Sequence, residues 1–434
     1  MTRAASTQLY SRLLKSLESI ETIDTHEHIL PEPQRVAENV DFFTFAGHYV
    51  INDIHAAGMP FDARKVLDDP NADNAQKWKL FGPWWDHVKF TGYGEALRIA
   101  VRDLYGLEVS GAALPRINAA IAARNKAGLY ADILKKRMRL RFAVNDQYWA
   151  PRPGPVDTSF FVLAQKFDGY VMPITAEGVH RLESQSDTSI TSVAGLKAAM
   201  EKVFDRALQA GMVTVKSTAA YQRSLQFNEV SAAEASRDFE RVMKGADPIP
   251  DGVRLNTHRP HKPLADHMFH HLASLCEAKN VPFQIHTGMQ AGNGNVPLNS
   301  QPMGLTNLFY KFGRVQFDLF HIGYPWWRDC LVLAKMYPNV NLDFCWMHVI
   351  SSTGARAALH EMLDSVPVNK LFGYGGDYRY PELSYGHLVM ARRNIARVLA
   401  ERVEAGQNSE EEAARLGRML MLDNPARLFT PKKS

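Results

Sequence analysis

Short apolar, β-branched runs recur along the chain, and several end on a polar residue able to do chemistry. They are IETIDTH (20–26), LRFAVND (140–146), FVLAQKF (161–167), MVTVKST (212–218), VPFQIHT (281–287), VQFDLFHIG (315–323), VNLDFCW (340–346) and LFGYGGD (371–377). Between them lie helix-like stretches such as 193–211, 265–280 and 326–339, closing on Gly or Asn as a helix C-cap does. Strand then helix, repeated, predicts a parallel sheet. The near-continuous hydrophobicity of the runs fits strands buried on both faces. Polar residues at their C-terminal ends favour a closed barrel, which gathers side chains from many strand ends at one mouth. A doubly wound sheet would carry a Gly-rich phosphate loop after the first strand, and DTHEHILPE is not one. The expected fold is therefore α/β, a (β/α)8 TIM barrel.

Residues 1–30 read as an N-terminal helix, with Leu9, Leu13 and Leu17 on one face, followed by strand one. Residues 31–135 lack a strand pattern and carry GPWWDHVKFTGYGEALRIAVRDLYG (82–106), rich in Trp, Tyr and Arg. This is the signature of a helical insertion after strand one that caps the barrel mouth, where substrate selectivity resides. Residues 136–434 supply the rest of the barrel, with 382–430 as its last helices.

Composition narrows the function classes. The 50 basic and 46 acidic residues leave a net charge of +4 with no long run of one sign, which argues against a nucleic-acid or membrane surface and mildly favours an anionic small-molecule substrate. Three scattered cysteines, Cys276, Cys330 and Cys345, offer neither a disulfide framework nor a paired-cysteine zinc site. With no signal-peptide pattern and no long apolar stretch, the expected location is the cytoplasm, and the expected assembly is a homo-oligomer.

In Asp24-Thr25-His26-Glu27-His28, strand alternation puts His26 and His28 on the same side while Glu27 points away. Two imidazoles then converge as zinc, iron, nickel or manganese ligands would, although such a pair is also found as ordinary polar loop residues. Further on, Lys216, His286, His321 and Asp377 each close a predicted strand. His267 and His271 share a helix face, with His270 between them, but without the glutamate of a His-Glu-x-x-His motif, and are assigned to a helix surface or interface. His258 and His261 read as loop residues. Tyr148, Trp84, Trp85, Arg328 and Arg379 could meet an aromatic or carboxylated substrate, and each could equally pack structurally.

This order of residue types resembles the amidohydrolase superfamily, in which a His-x-His pair closes strand one, a Lys may close strand four, His residues close strands five and six, and an Asp closes strand eight. The resemblance covers roughly residues 20–30 and 210–390. The text around IHTGMQAGNGN (285–295), FHIGYPWW (320–327) and 375–399 is most similar to the amidohydrolase-related group, which includes decarboxylases and lactone hydrolases, with uronate isomerases more distantly similar.

The resemblance implies a divalent metal, zinc first and manganese, nickel or iron as alternatives, on His26, His28, His286 and Asp377. It implies catalytic roles for Asp377 as proton shuttle, for His321 as second-metal ligand or substrate contact, and for Lys216. Lys216 is either a carbamate bridging two ions or a cation for a substrate carboxylate, with Thr218, Tyr221 and Arg223 nearby. Arg223, Gln290, Asn293, Tyr148 and Arg379 are the expected substrate contacts. The implied reaction is hydrolysis of an amide or lactone-type C–N or C–O bond. Decarboxylation of an aromatic or dienoic acid, or uronate-type isomerisation, would use the same site, and a catalytically silent barrel is the reading from another class.

Overall fold

All eight runs form strands in the computed structural model, which describes residues 3–147, 156–246 and 261–431. The strands are β1 (Thr22–Glu27), β2 (Leu140–Asp146), β3 (Phe161–Lys166), β4 (Met212–Ser217), β5 (Phe283–Ile285), β6 (Phe317–Leu319), β7 (Val340–Asp343) and β8 (Leu371–Phe372). They pair in parallel, each with the next, in a single sheet. The chain beyond β8 then returns to β1. Thr25 donates its N–H to Tyr374 O at 3.2 Å, Asp377 to His26 O at 2.8 Å, and His28 to Tyr378 O at 2.9 Å. The (β/α)8 barrel is thereby brought round on itself.

Strands β5, β6 and β8 are shorter than the apolar runs that announced them. In each, the chain leaves the ladder before its polar residue, and the backbone turns sharply at two of these points. His321 and Asp377 take φ of 59° and 60°, in the left-handed region that disfavours side chains. Both side chains are thus carried clear of the sheet and over the mouth.

Helices Val193–Gln209, Lys262–Lys279 and Trp327–Met336 occupy the three predicted stretches. The second ends on Asn280, in the left-handed conformation expected of a C-terminal stop. Leu9, Leu13 and Leu17 of the N-terminal helix Arg3–Ser19 are all buried in the main apolar cluster. The three cysteines are buried and free. No helix among the described residues is long and apolar enough to cross a membrane.

Between β1 and β2 the chain is helical. Local chemistry starts these helices: Asp41 and Thr44 form a reciprocal cap, Asp73 caps Gln76, and Thr91 caps Gly94. Phe42, Phe45, Phe81, Trp85 and Leu97 build an apolar cluster that also takes in Phe320, Trp346, Tyr378 and Tyr380 from the loops after β6, β7 and β8. The segment is therefore seated on the end of the barrel where the strand-closing residues lie.

One glycine sets how closely a helix of this segment approaches the barrel. A Cβ on Gly386, in helix Pro381–Glu404, would stand 2.2 Å from the carbonyl oxygen of Ala96. Gly386→Ala is expected to destabilise the fold by about 1–3 kcal/mol through overpacking. Gly313→Ala, where nothing lies within 4 Å, should be near neutral, and thermal denaturation of the two variants is the check.

Candidate metal centre

Alternation along β1, continued one residue past its end, puts His26 and His28 side by side, their rings edge-on with centroids 4.7 Å apart. Both reach toward Asp377: His28 Nε2 stands 3.1 Å and His26 Nε2 3.8 Å from Asp377 Oδ1. From the opposite side His321 Nε2 stands 3.8 Å from Asp377 Oδ2. Burial opposes ionisation of Asp377. The hydrogen bond from His28 and the nearby His28, His26 and His321 outweigh it and hold the carboxyl well below its usual range.

His26 is 1% exposed, and neither of its ring nitrogens has a hydrogen-bond partner among the described residues. An unpartnered buried imidazole is costly. Burial first, then Lys216 and His28, hold its pKa well below the usual histidine value, so the ring is neutral with a lone pair to give. Two imidazoles and an ionised carboxylate converging around that lone pair suit a divalent transition ion. Two groups of ligand-type side chains have their donor atoms within 4.8 Å of one another: His26, His28 and Asp146, and His321, Cys345 and Asp377.

His286 and His321 form a second pair. His321 Nδ1 lies 2.7 Å from Cys345 O, His321 Nε2 lies 3.1 Å from His286 Nδ1, and His286 Nε2 lies 3.0 Å from Met289 O. Three contacts in a row join two carbonyl acceptors, so they need three protons, and two neutral rings carry two. Burial lowers both pKa values, His321 to about 4. One contact is therefore left without a proton.

Lys216 is buried with its ammonium 3.1 Å from the centroid of the Phe320 ring, and burial lowers its pKa to about 8. Below the mouth, Glu27 turns away from the imidazoles. It accepts the N–H of Tyr378 at 2.7 Å and the hydroxyl of Ser384, fixing the backbone beside Asp377. Asp24 accepts the N–H groups of His26 and Gly376 at 3.1 and 3.0 Å.

A cavity of about 280 Å³ opens over these groups, lined by His26, His28, Lys216, His286 and Asp377 together with His48, Tyr49, Lys166, Thr218, Tyr221 and Ala291. Lys166 pairs with Asp146 at 3.1 Å and borders a neighbouring cavity of about 650 Å³. Tyr49 donates its hydroxyl to Asp377 O at 2.5 Å, so the segment between β1 and β2 supplies part of the wall and grips the ligand loop.

Among the described residues, the expected substrate contacts Arg223, Gln290, Asn293 and Arg379 do not line this cavity. Arg223 is buried against Asp266 at 2.6 Å and over the Phe227 ring. Gln290 donates to Ala220 O, Asn293 to Asn52 O, and Arg379 pairs with Glu38. Tyr148 and His258 lie outside the described residues. Trp85 is a core residue, and Arg328 pairs with Glu361 on the surface. Asp146 and Lys166 had the same signal that marked Lys216, a charged residue closing an apolar run. His48 and Tyr49 had none, because nothing in the periodicity of an insertion says which of its turns faces inward.

The profile of the family described as Amidohydrolase matches residues 183–430. Among curated proteins, Protein fluG of Emericella nidulans is 27% identical over 234 residues, 52% of this chain and 26% of that protein, so the chain spans about a quarter of that relative's length. Two solved structures are similar over nearly the whole chain at 17% identity. Glucuronate isomerase from Caulobacter crescentus has a TM-score of 0.79, covering 100% of this chain and 96% of that one. Uronate isomerase from Thermotoga maritima has a TM-score of 0.77, covering 97% of both.

Protein prepared without chelator should hold about one divalent ion per chain at this centre, and His26→Ala should lose most of it, as elemental analysis will show. Wild-type protein with less than about 0.2 ion per chain, even after zinc or manganese is added, would remove the centre.

Proposed function

The chain belongs to the amidohydrolase family, and from that premise we propose that it is a metal-dependent hydrolase cleaving an amide or lactone-type C–N or C–O bond of a small anionic substrate. The observation that carries this reading is the buried, unpartnered His26 aimed with His28 at one oxygen of Asp377, beneath a cavity that also presents Lys166 and Lys216. His26, His28 and Asp377 would hold the ion, with Asp146 or His321 within reach to complete the set. All nitrogen and oxygen donors suit zinc first, and manganese, nickel or iron as alternatives. When bound, such an ion supplies Lewis acidity that makes water nucleophilic near neutral pH.

The chain's own groups do the rest. Asp377, held ionised, accepts a proton from the attacking water and delivers it to the leaving group. His321, its Nδ1 turned to Cys345 O, presents its other face toward Asp377 and orients the substrate oxygen. Lys166 and Lys216 attract the substrate's negative charge. The Phe320 face beneath the Lys216 ammonium supports the cationic role for that lysine over a carbamate bridge. Tyr49 positions Asp377 through its carbonyl, and Thr218, whose hydroxyl donates to Asp168, braces the wall.

Sugar-acid isomerisation is a second reading, favoured by one observation. The likeness to the two uronate isomerases runs through the helical segment after β1 as well as the barrel, and two lysines suit a uronate carboxylate. Mass spectrometry of products from a panel of lactones, amides, hexuronates and aromatic acids separates the readings. Gain of one water marks hydrolysis, unchanged mass with a new chromatographic peak marks isomerisation, and loss of CO2 marks decarboxylation.

On whichever substrate turns over, Asp377→Asn keeps an oxygen ligand but loses the proton acceptor. Turnover is expected to fall by about 10²-fold or more while metal content stays largely intact. Near-normal turnover in that variant would transfer the proton shuttle to another residue, His321 first.

A further inference from the structure

Helix Pro381–Glu404 sends one histidine inward behind the metal centre. His387 is fully buried, and its Nδ1 lies 3.1 Å from the carbonyl oxygen of Gly376, the residue before Asp377. A carbonyl only accepts, so Nδ1 carries the proton. Burial first, then His348, hold the ring's pKa well below the ordinary histidine value, which leaves it neutral with that single N–H. Its Nε2 is buried and has no hydrogen-bond partner among the described residues. An apolar side chain would avoid that cost, so what the imidazole contributes at this position is the bond to Gly376 O.

Gly376 C=O and Asp377 N–H belong to one planar unit and point in opposite directions across it. His387 holds the oxygen, and His26 O holds the N–H at 2.8 Å. The plane leading into Asp377 is thus pinned at both edges, one of them by another ligand residue. Gly376 cannot be held by a side chain of its own, because a Cβ there would run into the Glu27 carboxyl and the Ser384 hydroxyl. Asp377 follows at a φ of 60°, a conformation that a residue with a side chain leaves unless its neighbours fix it. We propose that His387 is a positioning residue for the metal centre: by donating its Nδ1 hydrogen to Gly376 O, it sets the peptide plane that aims the Asp377 carboxylate between His28 and His321. This rests on the reading of Asp377 as a ligand. His348, on the short helix Met347–Ile350, supplies the contrast, buried with its ring centroid 5.9 Å from that of His387. Asn394 turns its Oδ1 to Arg356 and its amide hydrogen to His348 Nδ1, so His348 donates from Nε2, to Gly373 O at 3.0 Å. That bond is of the same kind and to the same loop. It lies four residues short of Asp377, however, and the bonds from Thr25 and Trp346 to Tyr374 O and Gly375 O stand between.

The test titrates cobalt chloride into the full chain after its metal has been exchanged out, because the visible absorption of cobalt follows the geometry of its ligands. His387→Leu and His387→Met both remove the donor, and the unbranched methionine adapts to the space if leucine does not fold. Each should bind cobalt about tenfold or more weakly, with a shifted spectrum. On a substrate that turns over, each should lose kcat while KM stays within about threefold. His387→Asn, whose amide nitrogen is as many bonds from the backbone as Nδ1, should recover cobalt affinity to within about threefold of wild type. His348→Leu should lower the melting temperature while leaving the cobalt spectrum and affinity as in wild type. The inference is overturned if the donorless variants bind cobalt as wild type does, if His387→Asn binds it no better than they do, or if His348→Leu disturbs the spectrum as much as they do. Wild-type chain that takes up no cobalt overturns the metal-centre reading itself, and the inference falls with it.

Discussion

Hydrogen bonds between β1 and the chain that follows β8 hold the two ends of the sheet together, and the candidate centre exists only because they form. The bond from Asp377 N–H to His26 O joins two of the residues that would bind the ion. Barrel closure and ligand convergence are therefore one event. Asp377 sits at a φ of 60° to make that bond, a conformation costing a side-chain-bearing residue about 1–2 kcal/mol, and the surrounding bonds from Tyr49 and Glu27 hold it there.

Beneath the seam the electrostatics are arranged in layers. Asp377 at the top is kept ionised by imidazoles. Asp24 and Glu27 below are pushed the other way, both first by burial, Asp24 to about 7 with Asp343 adding to the rise, and Glu27 further by the neighbouring Asp24. Carboxyl groups that hold a proton can sit beside one another without mutual repulsion, and they still accept the backbone N–H groups that fix the mouth. Asp377, which lines the cavity, thus carries the charge that Asp24 and Glu27 are pushed to give up.

How much of this was legible in the sequence depended on what carried the signal. Burial on both faces writes a strand as an apolar run, so all eight strands could be read, and the chemistry at their ends pointed to His26, His28, Lys216, His286, His321 and Asp377, which the structure gathers around one cavity. Their ring-by-ring partners were not readable. His286 turns Nε2 to Met289 O and Nδ1 to His321, because the loop after β5 folds back over it. Arg223, Gln290 and Asn293 lie near site residues along the chain, and in the structure they satisfy backbone carbonyls or Asp266, partners that position in the sequence does not announce. Tyr49 and His48 were silent, since a lid's inward face is decided by tertiary packing.

The separation of the seam's two halves bears on how the protein is made. His26 and His28 leave the ribosome about 350 residues ahead of Asp377. At roughly 5–20 residues per second, the histidines wait on the order of 20–70 s for their carboxylate. During that interval β1 has no neighbour on its β8 side, and the helical segment that packs on Phe320, Trp346, Tyr378 and Tyr380 lacks a complete surface to sit on. Nascent chains interrupted before β8 would therefore expose part of the lid's apolar face and an open sheet edge, which makes the emergence of β8 the point at which a chaperone can let go.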